Sequence, residues 1–210
     1  MKRFFFTTLI LLLIVVFAGG SWYLSKYKTD LKTTAPTILN KSLFLKLNSK
    51  ASQAKSFVAK NGFNNSYCFM VDMSIQSGSP RFFVYDLKKD SVLQSGLVSH
   101  GRCNEDWLTG RKYGNEVGCG CSSLGKYKIG IPYKGRFGLA YKLHGLDSTN
   151  SNAYKRYVVL HSHSCVPNAE VSPAPICQSD GCPTVSPAFL TQLAAKLDKS
   201  EKPVLLWMFE

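Results

Sequence analysis

The chain has 210 residues, of which 45% are hydrophobic, 19% charged and 12% aromatic, which excludes a disordered chain. The length suits one domain of ordinary size with a short appendage and leaves little room for two large domains. The formal charge is +13, from 26 Lys and Arg against 13 Asp and Glu. The basic residues are scattered from Lys2 to Lys202, without a dense run, a zinc-finger spacing or an aromatic RNA-binding motif. A solvated basic surface explains them, and no nucleic-acid partner is expected.

The N-terminus reads Met1-Lys2-Arg3 and then an uncharged apolar run from Phe4 to Gly20. Two positive charges before such a run mark an export signal. Ala18-Gly19-Gly20 offers small residues for cleavage. The run can also extend to Leu24, and Trp22 and Tyr23 followed by Lys26 and Lys28 resemble an interfacial belt. The favoured reading is an uncleaved anchor over residues 4–24 in the inner membrane, with a cleaved signal peptide as the alternative. Either way the domain is exported to the cell envelope or periplasm.

Residues 25–36 are polar and read as a linker. Over residues 37–61, Leu39, Leu43, Leu47, Ala51, Ala54 and Val58 recur at spacings of three and four, which predicts an amphipathic helix, or a helical pair broken at Asn48-Ser49. Asn61-Gly62 stops it. Residues 62–210 then form the main domain. Tyr67–Met73, Arg81–Leu87 and Ser91–Val98 predict strands. Gly101–Lys134 reads as loop-rich. Tyr157-Val158-Val159-Leu160 predicts a buried strand, Pro187–Lys199 a short helix with Pro at its start, and Pro203–Phe209 a closing strand.

There are seven Cys, so at least one thiol is unpaired within a monomer. Cys165 and Cys177 flank a Pro-rich segment, and a bridge between them is expected, with Cys182 left free. Cys103 has either Cys119 or Cys121 as a partner.

A catalytic cysteine needs a base, a group that orients the base, and donors for an oxyanion. In Ser179-Asp180-Gly181-Cys182, the N–H groups of Gly181 and Cys182 are candidate donors. His161, at the end of the Val158-Val159-Leu160 strand, is a candidate base on a rigid support. Further along the chain stand Val98-Ser99-His100-Gly101, Ser122-Ser123-Leu124-Gly125-Lys126-Tyr127, Leu143-His144-Gly145-Leu146 and Asn152-Ala153 with Arg156.

In this order, from about Cys68 to Phe209, these residues resemble the L,D-transpeptidase (YkuD-like) family, most closely its murein L,D-transpeptidase catalytic-domain branch. The resemblance implies a mainly β, sandwich- or barrel-like domain with a few short helices. It implies acyl transfer on peptidoglycan tetrapeptide stems without a cofactor. By it, Cys182 is the nucleophile, His161 the base and the Ser162 carbonyl its orienter, Ser179 and Gly181 shape the oxyanion loop, and His100 and Arg156 line the substrate site. This sequence departs from the pattern at Asp180, where many relatives have His, at Gln178, where the nearest branch has Arg, and at Ser162, where Gly is usual. A carboxylate at Asp180 would raise the pKa of Cys182. The alternatives are hydrolysis at the same site (an L,D-carboxypeptidase), a wall-binding domain without catalysis, and a zinc site built from His161, His163 and Cys residues.

Overall fold

A computed structural model describes residues 41–210. The candidate export segment and the linker lie outside the described residues. Among those described, no helix is long and apolar enough to cross a membrane.

Helix α1 (Lys41–Asn61) is a single helix. It buries Leu47, Ala51, Ala54 and Val58, a stripe at spacings of four, three and four. The break expected at Asn48 does not occur, because the Asn48 Oδ1 accepts a hydrogen bond from the Tyr85 hydroxyl. Gly62 closes the helix with φ +71°, a left-handed position that glycine takes without a Cβ penalty.

Eight strands follow: β1 (Tyr67–Asp72), β2 (Phe82–Asp86), β3 (Ser91–Gly96), β4 (Gly125–Gly135), β5 (Gly138–Gly145), β6 (Val159–Ser162), β7 (Thr184–Val185) and β8 (Leu205–Phe209), with α2 (Pro187–Leu197) between the last two. They form one sheet in the order β3-β2-β1-β8-β4-β5-β6-β7. β8 runs parallel to β1 and antiparallel to β4, so the C-terminal strand lies at the centre of the sheet. The strands form one continuous, curled hydrogen-bonded sheet. Its opposite ends approach each other where Val98, just past β3, bridges Val185 of β7 and where the Ser99 N–H donates to the Thr184 carbonyl at 2.8 Å. That approach gives the barrel-like character.

The period-two rule sorts the core. Cys68, Met70, Phe83, Tyr85, Leu205 and Trp207 face α1. Their neighbours Phe69, Val71, Phe82, Val84, Leu206 and Met208 face the other way, onto α2 and the inner residues of β4 to β6. Leu47 is wholly buried, so truncating it to Ala would cost about 2–5 kcal/mol. α2 opens on Ser186, whose Oγ accepts the Phe189 N–H at 3.2 Å, with Pro187 pre-set at the first turn.

The loop-rich reading of residues 101–134 holds only in part, since β4 begins at Gly125 and pairs with β5 in a long hairpin. The expected strand at Tyr157 starts two residues later, at Val159. Tyr157 itself adopts φ +56°.

Candidate active site

β7 is two residues long and runs parallel to β6, with His161 opposite Thr184. This pairing brings the segment before β7 against the end of β6. Ser179 is held by backbone bonds on both sides: its N–H donates to the His100 carbonyl at 2.9 Å and its carbonyl accepts the Arg102 N–H at 2.8 Å. Its hydroxyl closes the turn, accepting the Gly181 N–H at 3.2 Å and donating to the Cys182 carbonyl at 2.7 Å. In this conformation the Gly181 N–H, expected to face an oxyanion, donates to the Ser179 hydroxyl.

Gly181 has φ +113°, and a Cβ there would lie 2.7 Å from the Cys121 carbonyl oxygen and 3.1 Å from Nη2 of Arg156. Its own carbonyl accepts from the Ser122 hydroxyl at 3.3 Å. The turn is therefore pressed against residues 121–122. Arg156, expected in contact with substrate, spends its guanidinium on this frame. It donates to the Gly114 carbonyl at 2.9 Å, and to the Ser123 hydroxyl and the Cys121 carbonyl. The landmark Gly125-Lys126-Tyr127 and Gly145 also serve the frame. Asn150, buried between them, donates to the Lys126 carbonyl at 2.8 Å and accepts the Asp147 N–H at 2.9 Å.

His161 is buried, 7% exposed. Its Nδ1 lies 3.1 Å from the Ser162 carbonyl. A carbonyl only accepts, so Nδ1 carries the proton and Nε2 is left as the basic lone pair. Thr184 Oγ1 lies 3.0 Å from that Nε2 and donates to it. Phe137, from the β4–β5 turn, stacks on the imidazole at 5.1 Å. Burial holds the His161 pKa below its ordinary value; the Ser162 bond pulls upward and His163 pushes down. The ring is therefore neutral at pH 7.

Cys182 is a free thiol. Its Sγ lies 3.8 Å from the Tyr157 carbonyl, which is turned towards it by the left-handed backbone at Tyr157. Burial raises the thiol pKa above its ordinary value; a Val159 backbone bond and the Arg156 charge lower it, and Asp180 adds a smaller push upward. Asp180 is itself paired with Arg102 at 2.8 Å on the surface. Cys182, His161, Thr184, Arg156, Tyr157 and Phe137 line one cleft of about 440 Å³. Thr184 and Tyr157 escaped the sequence reading: Thr184 is recognised by its register with His161, and Tyr157 by its positive φ.

His100, expected in this cleft, lines a different cavity of about 590 Å³ together with Arg81, Trp107 and Gln178. Its Nδ1 accepts from Arg81 at 3.0 Å, and only its carbonyl reaches the turn at Ser179–Cys182. Burial and the Arg81 charge bring its pKa down to about 4.

The Cys165–Cys177 bridge is present, with Cα atoms 6.0 Å apart. Cys103 pairs with Cys121. Cys68, Cys119 and Cys182 are free. The zinc alternative loses its ligands: Cys165 and Cys121 are tied up in bridges, and among the described residues no group of three His, Cys, Asp or Glu converges on a metal position.

The L,D-transpeptidase catalytic domain model matches residues 39–207. The chain belongs to this family. Similar solved structures include an L,D-transpeptidase from Mycobacterium smegmatis (13% identity, TM-score 0.40, covering 69% of this chain and 59% of that one). Others are the helical cell shape determining protein of Campylobacter jejuni (13%, TM-score 0.39, 74% and 55%) and an L,D-transpeptidase from Stackebrandtia nassauensis (12%, TM-score 0.38, 79% and 67%). The chain spans little more than half the length of the first two. No curated protein matches the sequence. As in the sequence reading, the L,D-transpeptidase domain is mainly β, with two described helices.

Proposed function

We propose that this L,D-transpeptidase domain is a cysteine acyltransferase acting on peptidoglycan tetrapeptide stems. The observation that carries the reading is the arrangement at the end of β6. Cys182, kept out of both disulfides, shares a cleft with an imidazole whose Nδ1 is fixed by the Ser162 carbonyl and whose Nε2 is therefore basic.

At rest the pair is thiol and neutral imidazole, because burial disfavours both charged forms. Proton transfer to His161 Nε2 then accompanies attack of sulfur on the substrate carbonyl, once the Thr184 hydroxyl gives up Nε2 and turns to its second acceptor, the Cys182 carbonyl 3.4 Å away. The oxyanion forms beside the Cys182 N–H. Collapse expels the terminal D-amino acid, with His161 returning the proton to its nitrogen, and leaves a thioester. An amine acceptor, or water, resolves it. Water as acceptor would make the same site an L,D-carboxypeptidase.

Residues 62–210 carry the catalytic machinery in this reading, and α1 braces the sheet from its far face. Two disulfides favour an oxidising compartment outside the cytoplasm, in keeping with export by residues 1–24, either as an anchor over residues 4–24 or as a cleaved signal.

The test is intact-protein mass spectrometry after incubation with muropeptide tetrapeptides. An adduct of the stem on Cys182, absent in Cys182→Ala, is expected. A correctly folded protein that never acquires it would make the domain a binder. Cross-linked products identify a transferase and shortened stems a hydrolase.

A further inference from the structure

Cys119 is a third sulfur beside a closed disulfide. Cys103 bridges Cys121, yet its N–H donates to the carbonyl of Gly120 at 3.0 Å. Cys103 thus sits opposite the middle of Cys119-Gly120-Cys121, with one cysteine on each side. The sulfurs of Cys119 and Cys121 converge: both lie within 3.5 Å of one point, the place a Gly114 Cβ would occupy, at 3.2 and 3.5 Å. The Cys121 N–H also points at the Cys119 Sγ, 3.4 Å away. Cys103 and Cys121 are buried, at 7% and 3% exposure, whereas Cys119 is only partly buried. Gly120, at φ +62° and pressed against Asn104, supplies the bend in the middle.

We propose that Cys103, Cys119 and Cys121 form a thiol–disulfide exchange site in which Cys103 alternates between its two neighbours. The Cys119 thiolate attacks the Cys103 sulfur; the Cys103–Cys121 bond breaks; a Cys103–Cys119 bond forms; Cys121 leaves as thiolate and takes up the proton that Cys119 gave to solvent. One disulfide and one thiol exist before and after, so no oxidant or reductant is consumed. Cys119 is also the sulfur through which a small external thiol or disulfide reaches the buried bridge. The exchange touches the active site through the backbone. The Cys121 carbonyl receives Arg156 and abuts Gly181, so releasing the Cys121 side chain loosens the wall behind the nucleophile turn.

The full chain is incubated in a glutathione redox buffer, quenched with acid, alkylated, digested with trypsin and mapped by mass spectrometry. Cys119 and Cys121 fall on one tryptic peptide, and fragmentation at Gly120 tells which is bridged to Cys103. Both bridges are expected, the minor one at no less than about a tenth of the major, since a tenfold ratio is only about 1.4 kcal/mol. Cys119→Ser should show the Cys103–Cys121 bridge alone, and Cys182 in it should alkylate at one rate. In the wild type that alkylation should split into two phases whose amplitudes follow the two bridges. A wild type holding only Cys103–Cys121 at all times, with Cys119 fully alkylated, overturns the proposal whether or not the domain proves to be an acyltransferase.

Discussion

Gly181→Ala tests whether the nucleophile turn is held by contact with residue 121. The backbone at Gly181 has φ +113°, a region that costs a non-glycine residue of order 1–3 kcal/mol. The added Cβ would lie 2.7 Å from the Cys121 carbonyl oxygen, where ordinary contact begins near 3.4 Å. That oxygen belongs to backbone already fixed by Arg156, so the turn must yield by about 0.7 Å, and a misplacement approaching 1 Å at a reacting group costs about 100-fold. The expected result is a fall of about 30–100-fold in kcat/KM and a loss of about 2–12 °C in Tm. Gly62→Ala is the control. Gly62 also has positive φ, +71°, but a Cβ there meets nothing within 4 Å, and it ends α1, outside the residues that line the cleft. It should lose stability and keep turnover. If Gly181→Ala matches Gly62→Ala in kcat/KM on a muropeptide substrate, close packing against Cys121 does not position the nucleophile.

Thr184→Val removes the hydroxyl on His161 Nε2 while keeping the shape. That bond must break before Nε2 takes the thiol proton, so losing a hydrogen bond of about 1 kcal/mol predicts a several-fold rise in kcat with KM unchanged; Thr184→Ser should stay near wild type, and equal activity in the two variants would remove Thr184 from the machinery. The pH dependence follows from neutral partners. His161 must be unprotonated and burial holds its pKa below the ordinary imidazole value, so the acid limb of kcat/KM should fall below the pH at which a free imidazole titrates. Burial raises the Cys182 pKa above that of an ordinary thiol, so iodoacetamide should alkylate it faster as the pH rises through the ordinary thiol range. A thiolate already formed at pH 6 contradicts the resting state described. Replacing Cys165 and Cys177 together by Ala opens a loop of sequence separation 12, worth about 3 kcal/mol in chain entropy, or about 6–12 °C in Tm by calorimetry. An unchanged Tm would mean that the bridge does not constrain the unfolded chain.

The strands that sequence announces are those whose burial is simple. β1, β2 and β8 are dense in aromatic and branched residues and are packed on both faces, so their composition alone marks them. The β4–β5 hairpin was hidden for the opposite reason. Its outer half projects from the body, with Ile131 at 72% exposure, and Gly130, Pro132 and alternating Lys read as turn and solvent. The Pro is tolerated because the register shifts between Ile129 and Pro132. Asn48 misled in the same manner, since its partner is the hydroxyl of Tyr85 on β2. At the candidate site, the grouping of Cys182, His161 and the Ser162 carbonyl was legible because Cys182 sits in a short motif and His161 closes a strand. Thr184 and Tyr157 were not. Their roles arise from a parallel register and a backbone angle that no local residue pattern encodes. His100 and Arg156 drew attention as polar residues in the right order, yet each acts chiefly on backbone groups of the frame.

The departures from the family pattern point the same way. Ser162 in place of Gly leaves the His161 contact intact, because the group that holds Nδ1 is a backbone carbonyl and any residue has one. Gln178 in place of Arg is bonded at both ends of its amide to the backbone of Leu108, at 2.8 Å each way, which clamps the loop over residues 105–112 to the nucleophile turn as a strand pairing would. Asp180 places a carboxylate beside a thiol, but Arg102 pairs with it, and burial outweighs it among the influences on Cys182. The Pro-rich stretch between base and nucleophile is closed by Cys165–Cys177. At each departure either a backbone group makes the contact or a neighbouring side chain offsets the change, so the arrangement of Cys182 and His161 stands where the surrounding motif differs.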